Sequence, residues 1–379
     1  MRISFLCLLV LLSSVEVTLS QTKTAEVSQI THDSLGIVPI DVAVPDPPTV
    51  FEAHERWNLC YELRISSFAD KGDLEITSVA ILGPNHEALV SISGNDLKGS
   101  IDPQAAVGTT LKPRTYTTVF MWLSASSPDD IRPVLRHRVN LKSADDASEL
   151  STETPEVAVD RRPVMVIDPP LRGDGWEAVN GPSNSSLHRR AILPVNGTAF
   201  IGQKYAIDWA QSYPDGKLSH GDDKVNKNFR SYGQPVYAVA DGTITESKDG
   251  VPENVPGDSR AVEITMDSAP GNHVIEQIGE HAYAAYAHMQ PGSVRVKLGD
   301  RVKSGQVLGL VGNSGNATGP HLHFQVCDAN SFLVCNGIPY AISSFEVQAS
   351  DKPGTVARRQ RELPVQNDLI NFAAPPAPQ

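Results

Sequence analysis

Apolar and polar residues alternate with a period of two along much of this chain, the spacing of an extended strand that lays one face on a core. Between residues 49 and 168 the runs Cys60-Tyr61-Glu62-Leu63-Arg64-Ile65, Leu74-Glu75-Ile76-Thr77-Ser78-Val79-Ala80-Ile81, Thr117-Thr118-Val119-Phe120-Met121-Trp122-Leu123 and Val134-Leu135-Arg136-His137-Arg138-Val139 are short and separated by turn residues. None carries the 3.6-residue repeat of an amphipathic helix. Residues 49–168 are therefore expected to form an antiparallel β-sandwich, and residues 188–347 a second β-rich domain. The fold class read from the pattern is all-β. Three polar stretches interrupt it. Residues 21–48, ending Val44-Pro45-Asp46-Pro47-Pro48, read as a disordered leader. Residues 169–187, rich in Pro, Gly, Asn and Ser, read as a linker open to proteolysis, and residues 348–379 as a flexible tail.

The chain has 379 residues, enough for two domains with their own cores. Residues 1–20 have the form of a secretory signal: Arg2, an apolar run from Ile3 to Leu12, then small residues. That run is too short to span a bilayer, and no later stretch is long and apolar enough. Export would leave Cys60, Cys327 and Cys335 in an oxidising compartment. Cys327 and Cys335 are then expected to pair across a short loop, with Cys60 buried and unpaired. A net charge of −12 argues against nucleic acid as a partner, and against docking on anionic lipid.

Chemistry gathers in the second domain, which holds His188, His220, His273, His281, His288, His321 and His323. His54, His86 and His137 are isolated and read as structural. In the run Gly319-Pro320-His321-Leu322-His323-Phe324-Gln325-Val326, an extended backbone puts His321, His323 and Gln325 on one face. Leu322, Phe324 and Val326 then lie on the other, against a core. Two imidazoles on a rigid strand suit metal binding or proton transfer. In Gln203-Lys204-Tyr205-Ala206-Ile207-Asp208-Trp209-Ala210 the same rule buries Tyr205, Ile207 and Trp209, and leaves Asp208 between two alanines, open to a bulky partner. Tyr283-Ala284-Ala285-Tyr286-Ala287-His288 is a strand ending in histidine, and the glycines between Gly299 and Gly315 mark tight turns that lead into the histidine strand.

The segments around Asp208, Pro235 to Ile244, Tyr286-Ala287-His288-Met289, Gly299 to Phe324 and Asn336 to Tyr340 occur in the order found in the lysostaphin-type (LytM-like) zinc endopeptidases, and residues 202–345 resemble that family. The resemblance implies a Zn2+ enzyme that cuts peptide cross-links of bacterial peptidoglycan, exported to the periplasm or the cell exterior. It also implies Asp208 and His323 as metal ligands and His288 and His321 as the catalytic pair. One ligand departs from the family. The histidine of its HxxxD pair falls at Lys204, and a protonated lysine has no lone pair for zinc. His188 is the expected replacement, carried by a strand of about residues 189–194 beside that of Asp208; His220 is the second option. His273 and His281 read as surface residues. The alternative is a catalytically inactive LytM-like module that binds wall or regulates a wall amidase. A third reading, a biotinyl-like sandwich, leaves the two strand histidines without a role.

Overall fold

The computed structural model describes residues 37–102, 108–348 and 355–373; the signal expected at residues 1–20 lies outside them. From Val38 onward the chain forms one compact unit. Among the described residues no helix is long and apolar enough to cross a membrane.

The first region is the expected sandwich. One sheet pairs Arg56–Ser67 with Ile40–Ala43, Val50–Ala53 and Tyr116–Ala125. The other is built on Leu74–Leu82 and Val134–Ser143, with Ala88–Ser93, Glu149–Glu153 and two shorter strands beside them. Leu59, Tyr61, Leu63 and Ile65 pack against Ile76, Val79, Ile81 and Val139 between the sheets. His137 is buried there, 2.8 Å from the Tyr61 hydroxyl. Two expectations are corrected. The strand Ile40–Ala43 lies inside the stretch read as a disordered leader, and Gly94–Ser100 is a short helix where none was expected.

The other face of Arg56–Ser67 is buried too. Cys60 joins the second region's core, together with Phe51 and Ala53. Phe51 meets Tyr205 edge-on at 5.6 Å. The two regions therefore share apolar packing.

The second region is organised on a ten-stranded antiparallel sheet. Its order is Arg301–Val302, Gly242–Lys248, Asn272–Gly279, Ala282–Met289, Leu322–Cys327, Ile207–Gln211, Gly173–Val179, Leu369–Phe372, Phe345–Gln348 and Val356–Arg359. Three of these strands overturn sequence expectations. Gly173–Val179 lies in the middle of the sheet, inside the segment read as a linker; Trp176 and Ala178 are fully buried. Gly173 and Gly175 have φ of 89° and 77°, and the register slips between Gly173 and Trp176, so the glycines serve a bulge rather than a loop. The tail read as flexible supplies Val356–Arg359 and Leu369–Phe372, and Phe372 packs on Trp209 with ring centres 5.3 Å apart. Cys327 and Cys335 are bonded, and Cys60 is buried and free, as expected.

Below the sheet Glu276 is fully buried, one oxygen 2.6 Å from the Tyr286 hydroxyl and the other without a partner. Burial pushes its carboxyl up from the ordinary 4.5 to about 7. The folded state thus keeps a proton that the unfolded chain gives up, so stability falls as pH rises from 4.5 to about 7. Glu276→Gln is expected to remove most of that slope, and to raise the urea midpoint at pH 8 relative to the parent; an unchanged pH profile would refute the assignment. Phe372→Ala is expected to cost about 3–5 kcal/mol in denaturant unfolding, because it opens a cavity against Trp209. A loss under about 1 kcal/mol would mean the tail strand is dispensable.

Candidate metal and hydrolytic centre

Three neighbouring strands bring the centre together. Asp208 and His323 are direct cross-strand partners, and Ala287 sits opposite His323 on its other side. Leu322, Phe324 and Val326 enter the main core, which fixes the strand's register and sends His323 and Gln325 to the opposite face. His288 follows Ala287 at the end of its strand with φ of 65°, a left-handed conformation that costs energy for a residue with a Cβ. Its backbone N–H donates to the Pro270 carbonyl, and its Nδ1 lies 2.8 Å from the Ser314 carbonyl. His321 is held in the same manner, with Nδ1 2.8 Å from the Gly319 carbonyl. A carbonyl only accepts, so in both rings Nδ1 carries a hydrogen, and when the ring is neutral Nε2 is left with a lone pair.

Asp208 is the hub. One oxygen faces His323 Nδ1 at 2.9 Å and His321 Nε2 at 3.3 Å. The other faces His188 Nε2 at 3.2 Å and accepts from the Asn180 amide at 2.9 Å. The charges of His188 and His321 outweigh burial and hold its carboxyl well below the usual range. Burial, joined by its histidine neighbours, holds His288 well below the ordinary imidazole value. His321 is buried too, but the Asp208 charge prevails and raises it.

The tautomer of His323 bears on whether this donor set suits a cation. Gln325 Nε2 donates to the Phe332 carbonyl at 2.7 Å, which orients the amide and turns its Oε1 toward His323 Nε2 at 2.9 Å. His323 Nε2 must then carry the hydrogen, and its Nδ1 presents a lone pair to a carboxylate oxygen. Two acceptors face each other at 2.9 Å, an arrangement that calls for a proton or a cation between them. Burial lowers the pKa of His323 and disfavours the proton. One ligand atom from each of His188, Asp208 and His323 lies within 4.8 Å of the others, so small movements would bring all three onto one ion.

The structure brings together His188, Asp208, His288, His321 and His323, and leaves the other candidates outside. His220 stacks on Tyr213 with ring centres 3.9 Å apart and faces Asp215 at 3.1 Å. His273, expected at the surface, is buried, with Nε2 2.9 Å from Glu246. His281 is exposed, as expected. His188 arrives by a different route from the one expected. The short helix Leu187–Arg190 carries it, whereas Leu193–Val195 pairs, among the described residues, with Thr198–Phe200, and the strands beside that of Asp208 are Gly173–Val179 and Leu322–Cys327. Lys204 turns away and meets Glu62 of the sandwich at 2.6 Å. Sequence reasoning also missed Asn180, whose only signal was its place in a run that looked like a linker.

A cavity of about 370 Å³ opens beside the centre, lined by Asn180, Asp208, Phe229, Gly257, Gly319 and His321 among others.

Residues 227–333 match peptidase family M23, a span that holds His288, His321 and His323 and begins after His188 and Asp208. The peptidoglycan DD-endopeptidase ShyA of Vibrio cholerae is 36% identical over 89 residues, 24% of this chain and 20% of that protein. The glycyl-glycine endopeptidase ALE-1 of Staphylococcus capitis is 35% identical over 99 residues, 26% of this chain and 22% of that protein. The chain thus spans about a fifth of the length of these curated relatives. Among solved structures, the catalytic domain of the prophage-encoded M23 protein EnpA from Enterococcus faecalis aligns at 23% identity with a TM-score of 0.25, covering 42% of this chain and 87% of that one. On the sequence match, this chain carries a domain of peptidase family M23.

Proposed function

We propose that the protein is an exported zinc endopeptidase that hydrolyses peptide bonds in bacterial peptidoglycan cross-links. The observation that carries this reading is the pair of facing acceptors, His323 Nδ1 and Asp208 Oδ1, with His188 Nε2 beside them. That set of two neutral imidazoles and one carboxylate matches a catalytic zinc site with a position left for water. The wall peptide as substrate is supported by the relatives, which are named for endopeptidase action on peptidoglycan or on glycyl-glycine bonds. Those two names differ in the bond cut, so the proposal stops at the peptide class.

Bound there, zinc would supply Lewis acidity and lower the pKa of a water. The remaining roles fall to side chains of this chain. When neutral, His288 and His321 present Nε2 lone pairs, with ring centres 4.9 Å apart, and their Nδ1 hydrogens are tied to backbone. One accepts a proton as the water oxygen bonds to the scissile carbonyl carbon. The same proton then passes to the departing nitrogen as the C–N bond breaks, giving an amine and a carboxylic acid, whose own proton is then lost to the amine or to solvent. Donated back, an Nε2 hydrogen stabilises the oxyanion of the tetrahedral intermediate. Gln325 keeps His323 in the tautomer that offers Nδ1.

The inactive-module reading rested on Lys204 standing in for a ligand. Lys204 pairs with Glu62 and His188 faces Asp208, so no observation favours that alternative.

Zinc content after dialysis and release of soluble fragments from purified sacculi test the assignments together. His188→Ala and His323→Ala are expected to lose metal alike. His321→Ala should keep the metal and lose at least about 100-fold in turnover, the scale of a positioned acid or base. Lys204→Met should keep its zinc. If His188→Ala retains full zinc while His220→Ala loses it, the ligand set is wrong; if the zinc-loaded parent leaves sacculi intact, the substrate is wrong. Gln325→Leu, which removes the acceptor that sets the His323 tautomer, is expected to weaken zinc binding about 10–100-fold. Affinity equal to the parent's would sink that role.

A further inference from the structure

His188 is the centre's one proposed ligand that stands outside the ten-stranded sheet, in a helix of four residues, Leu187–Arg190. A single turn has little stability of its own, so something else must hold the imidazole in place. Its neighbour Arg189 is fully buried, and its guanidinium reaches mainly into the sandwich. Nε donates to Glu62 at 3.0 Å, and one terminal nitrogen donates to the carbonyls of Tyr61 at 2.8 Å and Met121 at 2.9 Å. The other terminal nitrogen bonds Asn184, and the guanidinium lies over the Phe120 ring. Two strands of the sandwich thus form a socket for the residue next to the ligand. Glu62 is buried as well, and its second oxygen meets Lys204 at 2.6 Å.

We propose that Glu62 is a positioning residue for the metal centre: by holding Arg189 in the sandwich socket, it sets where His188 stands relative to Asp208 and His323. The proposal rests on His188 being a ligand. It gives the first region a role in completing the second region's site. A buried guanidinium without its carboxylate must move or draw water inward, and either response shifts the turn that carries His188. A planar fork that serves one carboxylate and two carbonyls is also a match that lysine cannot reproduce.

The test uses the full chain. Zinc affinity is read by competition with a chromophoric chelator, beside thermal unfolding of the metal-free protein. Glu62→Gln is expected to weaken zinc binding at least tenfold, within the 10–100-fold typical of residues that orient ligands. Arg189→Lys keeps a cation for Glu62 but gives up the fork, and is expected to weaken zinc binding about tenfold even if Glu62→Gln does not fold. Val139→Ala, deep in the sandwich core, supplies the comparison: it should lower the melting temperature and leave zinc affinity at the parental value. If the zinc affinity of Val139→Ala drops along with its melting temperature, Glu62 acts only through stability and the proposal fails. If His188→Ala loses zinc while Glu62→Gln and Arg189→Lys bind it normally, the ligand reading stands and the positioning role is overturned. If His188→Ala itself binds zinc normally, the failure belongs to the ligand reading.

Discussion

A carboxylate taken out of water has to be surrounded by donors or cations, and Asp208 imposes that demand on the middle of the sheet. Its position is not negotiable, because Ile207 and Trp209 on either side are fully buried in the main core and the strand pairs on both edges. The groups that answer it come from four places: His323 across the ladder, His321 at that strand's entry, Asn180 past the end of the neighbouring strand, and His188 on its short helix. Three of the four are imidazoles that can bind a metal when neutral. Where a neutral imidazole turns a lone pair toward that anion, as His323 Nδ1 does, the hydrogen bonds are incomplete, and this incompleteness makes the site suited to a cation.

The parts of the fold legible in the sequence were those where a two-residue period coincided with an apolar face. Leu59, Tyr61, Leu63 and Ile65 face the sandwich core, as the pattern required. Leu322, Phe324 and Val326 are buried opposite His323 and Gln325 by the same rule. The strand Gly173–Val179 was hidden because its glycines and the Asn-Gly-Pro-Ser run after it carry loop chemistry, while the signal that mattered was only Trp176 and Ala178 two apart. Leu369–Phe372 was hidden in a similar way, its Ile370 and Phe372 embedded in a polar tail. Both gain their stability from neighbours distant in sequence, which local composition does not record.

Within the site, Asp208, His288, His321 and His323 were legible from strand alternation and from motif order. His188 was named, but the path imagined for it was a strand. The turn that carries His188 also carries Arg189, which bonds Glu62 on a strand more than a hundred residues earlier. His273 was misplaced because a histidine near a turn looks solvated until a partner such as Glu246 is seen closing over it.

Glu62 lies on the face of its strand opposite the sandwich core, with Cys60 two residues before it and Phe120 and Trp122 on the paired strand. That second face is committed to the second region: Cys60 lies in its core, and Trp122 packs on Phe51, which in turn meets Tyr205. Lys204 and Arg189 both end on the Glu62 carboxylate, so the pair carries one excess positive charge, which Asp46 at 4.0 Å from Lys204 offsets. The lysine found where the family motif has a histidine is thus neither a damaged ligand nor a neutral replacement. A neutral histidine there would leave Glu62 with one cation rather than two, and a metal-directed histidine could not also face the sandwich. The two departures from the family pattern fit one another, since position 204 faces the sandwich and His188, seated on that sandwich through Arg189, faces Asp208.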